Sequence, residues 1–137
     1  MNWRASWKIV LLSCALGFTS TVVFADDWAG FYVGIDSLDG SIDHLSISPN
    51  EDGTYDIRSR PSKISHCKTD HGSGVIVATG KVVNEQLLRQ NVQLLCHGTE
   101  VVSLPDQAYT RDDDTDILYL VSSDDGRKLV FHRISDD

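Results

Sequence analysis

The sequence predicts an all-β domain, a small antiparallel barrel of about eight strands in mostly up-and-down order, with a β-sandwich as the alternative. Three observations carry this reading. Short runs of alternating apolar residues recur along residues 28–134. Turn-forming clusters separate many of them, among them Pro49-Asn50-Glu51-Asp52-Gly53 and Ser123-Asp124-Asp125-Gly126. No stretch forms a clean amphipathic helix. A meander of short hairpins must pack as a sandwich or close on itself to hide its edges. Short sequential connections favour up-and-down closure.

The first 25 residues stand outside that domain. Arg4 and Lys8 open the chain without an acidic neighbour, and Ile9 to Ala25 carries no charge. A basic start, an apolar run and small residues at the cut are the order of an export signal. Val23 and Ala25 suit the cleavage positions, with the cut between Ala25 and Asp26. Residues 1–25 are thus expected to be a signal peptide and 26–137 a single extracytoplasmic domain, secreted or periplasmic. Two alternatives use the same segment. An uncleaved anchor would span with a short run diluted by Ser13, Thr19, Ser20 and Thr21. A lipid-attachment box would use Leu11-Leu12-Ser13-Cys14, although the apolar run continues past Cys14. No membrane span is expected in the mature chain.

The chain holds 12 basic and 20 acidic side chains, and losing Arg4 and Lys8 leaves a formal charge of −10. That sign disfavours nucleic acid or an anionic membrane as the main partner. It suits a basic extracytoplasmic protein, or simply solubility.

The first strand is expected over Trp28 to Ile35. Its two faces, Ala29-Phe31-Val33-Ile35 and Trp28-Gly30-Tyr32-Gly34, both carry bulk, which implies that at least part of the strand is covered on both sides. Asp43 to Ser48 follows, with Leu45 and Ile47 on the inner face. Asp52-Gly53 turns the chain into Thr54 to Arg60, where Tyr55 and Ile57 face inward and Pro61 stops pairing. Residues 62–73 are polar and read as a loop or a short irregular strand. Val75 to Val83 is apolar on both faces and rich in β-branched residues, the pattern of the most buried strand. Residues 84–96 fit a helix through Leu88, Val92 and Leu95, or a strand whose inner face is Leu88, Val92, Leu94 and Cys96; the strand is preferred beside strand neighbours. Glu100 to Leu104, Asp116 to Val121 and Arg127 to Ile134 complete the set.

Two cysteines remain after processing, Cys67 and Cys96. Outside the cytoplasm such a pair is expected to form a disulfide. The pairing constrains the sheet. If 62–68, 75–83 and 87–96 were three adjacent strands, the middle one would hold the cysteines about 9.5 Å apart, too far to bond. Residues 61–73 are therefore expected to leave the sheet and fold over one rim.

That rim gathers His66, Cys67, Asp70, His71, Cys96 and His97. Reduced thiols and imidazoles can bind zinc, but adjacent residues in extended chain point to opposite faces, so no metal site is assigned. His66, His71 and His97 would alternatively report acidification. Asp112, Asp113, Asp114 and Asp116 lack the Gly and late Glu of a calcium loop and read as a solvated turn. No Gly-x-Ser-x-Gly elbow, phosphate loop or His-Glu-x-x-His is present, so no catalytic residue and no cofactor is assigned.

The aromatic supply is more informative. Trp28, Tyr32, Tyr55, Tyr109, Tyr119 and Phe131 are spread over the chain. They fill a core, or some of them line a barrel mouth. Trp28, Tyr32, Tyr55, Tyr119 and Phe131 are the candidate ligand contacts.

The strand plan of residues 28–134 resembles the lipocalin-type (calycin) barrels. The resemblance rests on Trp28-Ala29-Gly30-Phe31-Tyr32, the hairpin run, the cysteine pair and the closing Phe131-His132-Arg133. It implies that Trp28 packs against a basic residue, Arg133, at the closed end, and that an apolar ligand occupies the interior. The order Trp28-x-Gly30 reverses that family's Gly-x-Trp, and the family's C-terminal helix has no counterpart.

The function expected first is therefore that of an exported, non-enzymatic binding protein with a small apolar ligand. The alternative is a surface-acting interaction domain, such as an inhibitor of a secreted enzyme. A small hydrolase using a rim histidine is the third reading.

Overall fold

The structure, a computed structural model, describes residues 28–36, 40–62, 64, 66–67, 74–97, 99–112, 114–121 and 126–135. The proposed signal peptide, Asp70, His71, Asp113 and the Ser123–Asp125 turn lie outside the described residues. Nine strands occur among those described: β1 (Gly30–Ile35), β2 (Ile42–Pro49), β3 (Tyr55–Arg60), β4 (Gly74–Val83), β5 (Gln86–Cys96), β6 (Val101–Ser103), β7 (Gln107–Asp112), β8 (Ile117–Val121) and β9 (Lys128–Ser135).

All pairings are antiparallel, and β4 pairs with β5 to close the sheet. Eight strands complete the barrel in chain order. The ninth, β6, is an extra strand. The long β5 makes this possible: Gln93–Leu95 pair with β6, and Leu87–Arg89 pair with β7 on the same edge. Closure leaves no sandwich edge to cover.

Local chemistry fixes the hairpins. Between β2 and β3, the Asn50 backbone N–H donates to Thr54 O at 2.8 Å, and Gly53 supplies a left-handed φ of 82°. Asp52 Oδ1 accepts from the Thr54 hydroxyl at 2.6 Å and from its backbone N–H at 3.0 Å. These bonds, the hydroxyl's first, hold the Asp52 carboxyl below its usual range. Their support for the turn is full above about pH 4 and is lost as pH falls through the lowered value. A carboxyl NMR titration should show the Asp52 midpoint moving back up in Thr54→Val. An unchanged midpoint would remove the turn's pH dependence. Between β4 and β5, Asn84 and Glu85 both adopt positive φ, the geometry of a two-residue hairpin matched to strand twist.

The core has two parts. The larger packs Trp28, Tyr32, Leu45, Ile47, Tyr55, Ile57, Leu87, Tyr109, Leu118, Leu120 and Phe131 toward one end. The smaller packs Ile64, Cys67, Leu94 and Cys96 at the other rim, with Ile76, Val102 and Leu104 against them. Cys67 and Cys96 are bonded, their Cα atoms 5.7 Å apart. β4 does separate β3 from β5. The chain after Arg60 therefore leaves the sheet, and Ile64 and Cys67 dock on the rim, as the spacing argument requires.

Two expectations are corrected, a third holds only in part, and one strand was not expected. β7 lies in a segment that carries no clear strand pattern, because Gln107, Tyr109 and Arg111 alternate polar with aromatic on the inner side. The inner face of β5 is not Leu88-Val92-Leu94-Cys96. Leu87 and Arg89 are buried, then Asn91 takes φ 52° at a bulge, and Val92, Leu94 and Cys96 are buried beyond it. One extra residue flips the inward parity, so Leu88 turns outward. The outer face of β1 is covered only in part: Ala29 and Val33 are half-buried, but Phe31 is 44% and Ile35 62% exposed. β4 is not the most buried strand. Its inner face is Gly74-Ile76-Ala78-Gly80, while Val82 and Val83 are exposed. A Cβ on Gly80 would lie 2.9 Å from both Ile57 Cδ1 and Leu87 Cδ1. Small residues on β4 let its neighbours' side chains fill the narrow interior.

Candidate functional site

The barrel is filled at one end and hollow toward the other. At the filled end the Tyr32 hydroxyl donates to Trp28 O at 2.9 Å and accepts from Arg133 Nη2 at 2.9 Å. The Arg133 guanidinium lies over the Tyr32 ring, 5.4 Å from its centroid. Burial raises the Tyr32 pKa, and Arg133 opposes that rise through its hydrogen bond and charge. The aromatic face under Arg133 is thus that of Tyr32.

Toward the disulfide rim a cavity of about 390 Å³ opens between the two cores. This lies within the ~300–1,000 Å³ typical of small-molecule sites. Tyr109, Leu120, Leu129 and Phe131 line it from β7, β8 and β9. Ile64, Ile76, Leu94, Val102 and Leu104 give it an apolar rim. Exposed His66, Ser103 and Pro105 mark where it meets solvent.

Polar groups enter at two places. Near the strand ends, Arg127 Nη1 donates to Asp36 Oδ2 at 2.9 Å, and Asp43 Oδ1 accepts the Ser62 backbone N–H at 3.1 Å. The second group is Arg89, Gln107 and Tyr109. Arg89 is 4% exposed. Its Nη2 donates to Gln107 Oε1, and its Nη1 lies 3.5 Å from the Tyr109 hydroxyl. Its guanidinium stands 5.8 Å from the Tyr109 ring centroid. Tyr109 packs edge-on to Phe131, with centroids 6.1 Å apart. Burial drives the Tyr109 pKa upward against the opposing Arg89 charge, so the phenol keeps its proton at neutral pH.

The five candidate aromatics are not brought to one place. Phe131 lines the cavity. Trp28, Tyr32 and Tyr55 belong to the filled end. Tyr119 faces outward between buried Leu118 and Leu120, with Lys128 Nζ 3.6 Å from its ring centroid. Sequence reasoning missed Arg89, Gln107 and Tyr109 as a set. Arg89 shares strand parity with Leu87, which was the available signal. Recognising it needed the bulge at Asn91. Among the described residues, no three or more His, Cys, Asp or Glu side chains are placed to hold a metal.

The fold defines an eight-strand closed antiparallel barrel, compatible with a lipocalin-like architecture. No protein-family model matches the chain, and no curated protein or solved structure matches it either. The disulfide is consistent with an extracytoplasmic location. Among the described residues no helix is long and apolar enough to cross a membrane.

Proposed function

We propose that this is an exported, lipocalin-like binding protein that holds a small, largely apolar molecule in the cavity beneath the disulfide rim. The observation that carries the reading is the cavity itself: about 390 Å³, walled by Ile76, Leu94, Leu104, Leu120 and Phe131, and reaching solvent beside His66. Small domains normally pack such space shut. A binding site is the ordinary reason to keep it open.

The test uses N-phenyl-1-naphthylamine, a neutral apolar fluorophore. Its emission should rise on the wild-type protein and saturate at one site. Leu104→Trp, which fills the rim from a half-buried position, should weaken that binding at least tenfold. Absent enhancement, or enhancement unchanged in Leu104→Trp, would overturn the reading. It would favour instead a partner surface on the outward apolar residues of neighbouring strands, Phe31, Ile35, Ile42 and Ile134.

A further inference from the structure

The outer wall formed by β2, β1, β9 and β8 groups its exposed apolar side chains. Phe31, Ile35, Ile42 and Ile134 are all exposed there. Ile35 stands opposite Ile42 on β2 and Val130 on β9, and Val33 lies between His44 and His132. Ile134 falls where the β1–β9 register shifts beside Phe31. On β8, outward-facing Tyr119 stands opposite Val130. Single exposed apolar residues are ordinary, but a contiguous patch bordered by charge marks an interaction surface.

The charge at its borders is positive. Arg58 and Arg60 on β3 are exposed, and among the described residues neither forms an ion pair. Lys128 on β9 lies over the Tyr119 ring. The outward positions of β1, β2, β8 and β9 carry no carboxylate. On β3, Asp56 faces outward and accepts from Asn50 Nδ2 at 3.3 Å. Asp112 stands on β7, three strands from β1, and Asp114 and Asp116 follow in the turn to β8. The formal charge of −10 expected for residues 26–137 is therefore not carried by this wall. With a Debye length of about 8 Å at physiological salt, the wall's own charges decide what it meets.

We propose that this wall docks side-on against an anionic lipid bilayer. Phe31, Ile35, Ile42 and Ile134 enter the boundary between headgroups and acyl chains, while Arg58, Arg60 and Lys128 reach lipid phosphates. The shape selects this occupant. The outer wall of a closed barrel is convex, so a second copy would meet it along a narrow line, short of the ~1,600 Å² of a standard protein interface. A fluid bilayer closes round it. β3 and β8 each stand two strands from β1, so their long side chains flank the apolar ridge at headgroup height. The wall lies on the bilayer and does not cross it: β1, β2, β8 and β9 hold 6, 8, 5 and 8 residues, and a spanning strand needs about 9–11. Buried apolar area and attraction to anionic lipid add in such binding. Docking by the wall is independent of what the cavity holds.

The exported protein, after signal removal, is sedimented with vesicles of phosphatidylcholine alone or mixed equally with phosphatidylglycerol. The mixed vesicles should bind it at least tenfold more tightly. Ile35→Ser with Ile134→Ser should weaken that binding at least tenfold. Leu95→Ser with Val101→Ser, which removes exposed apolar groups from β5 and β6, should leave it unchanged. Arg58→Gln with Arg60→Gln should reduce the preference for phosphatidylglycerol several-fold. No binding to mixed vesicles overturns the proposal, as does equal loss in the β1–β9 and β5–β6 variants. A solution dimer that Ile35→Ser with Ile134→Ser dissociates would put a second copy on the wall and also overturn it. Should those variants not fold, Phe31→Trp decides while keeping the wall apolar: brominated acyl chains should quench it beyond any quenching of Trp28 in the wild type, and an unquenched Trp overturns the docking.

Discussion

Replacing both Cys67 and Cys96 with Ser should lower stability by about 3–4 kcal/mol, the chain-entropy value for a closed loop of about 30 residues. The bridge spans a sequence separation of 29 and ties the segment after β3 to the end of β5. For a small domain with a net stability of about 5–15 kcal/mol, that is a large share. The effect should be concentrated at the rim. Ile64 and Cys67 belong to the smaller core, whereas the larger core contains no part of the 61–67 segment. Binding of N-phenyl-1-naphthylamine should therefore weaken even where the barrel remains folded, because Ile64 and His66 line the cavity. Urea unfolding followed by far-ultraviolet circular dichroism, with and without reductant, measures the first effect; fluorophore titration of the folded double variant measures the second. A stability loss under about 1 kcal/mol would mean that the packing of Ile64, and not the covalent bond, holds the rim.

Phe131→Ala should cost about 3–5 kcal/mol, the range for removing a buried phenylalanine from a core. Phe131 is buried and forms the wall between the filled end and the cavity. Its ring meets Tyr109 edge-on and lies where a Cβ on Gly34 would come within 2.8 Å of it. Strand β1 approaches β9 closely enough to leave the ring no alternative position on that side. Phe131→Leu should cost much less, because most of the volume survives. Equilibrium denaturation of the two variants provides the comparison. A similar cost for both would show that the ring's edge-on contact, and not the space it fills, is what the site needs. A small cost for both would show that the cavity already relaxes around this position.

The inward residues of β2 and β3 were legible because, over 43–48 and 54–60, the large apolar residues fall on one side of a strict alternation: Leu45 and Ile47, Tyr55 and Ile57. The displacement of the 61–67 segment was legible for a different reason. Two cysteines and a strand spacing of about 4.8 Å leave few arrangements that close the bond. On β1 and β4 the same method misled. Phe31 and Val82 are apolar, yet a closed barrel offers each strand a single buried face, so their bulk falls outside. On β5 the alternation was real but broken at Asn91, where one residue in left-handed geometry reverses which side faces in. On β7 the inward positions include Gln107 and Arg111, so no apolar period marked the strand at all.

The candidate site suffers most from those last two losses, since Arg89 stands just before the bulge and Tyr109 on the unmarked strand. The sequence by itself determined the all-β class, the order of most hairpins, the cysteine pairing and the rim it creates. These follow from local alternation, turn chemistry and covalent reach, all of which act over short stretches of chain. Only the tertiary structure decided that Arg89 and Tyr109 meet across β5 and β7, and that Trp28, Tyr32 and Tyr55 are spent on the filled end while Phe131 alone of the expected aromatics borders the cavity. Those outcomes depend on where the barrel closes and on how far each strand is shifted against its neighbour. A single bulged residue changes both, and its effect is felt on the far side of the interior.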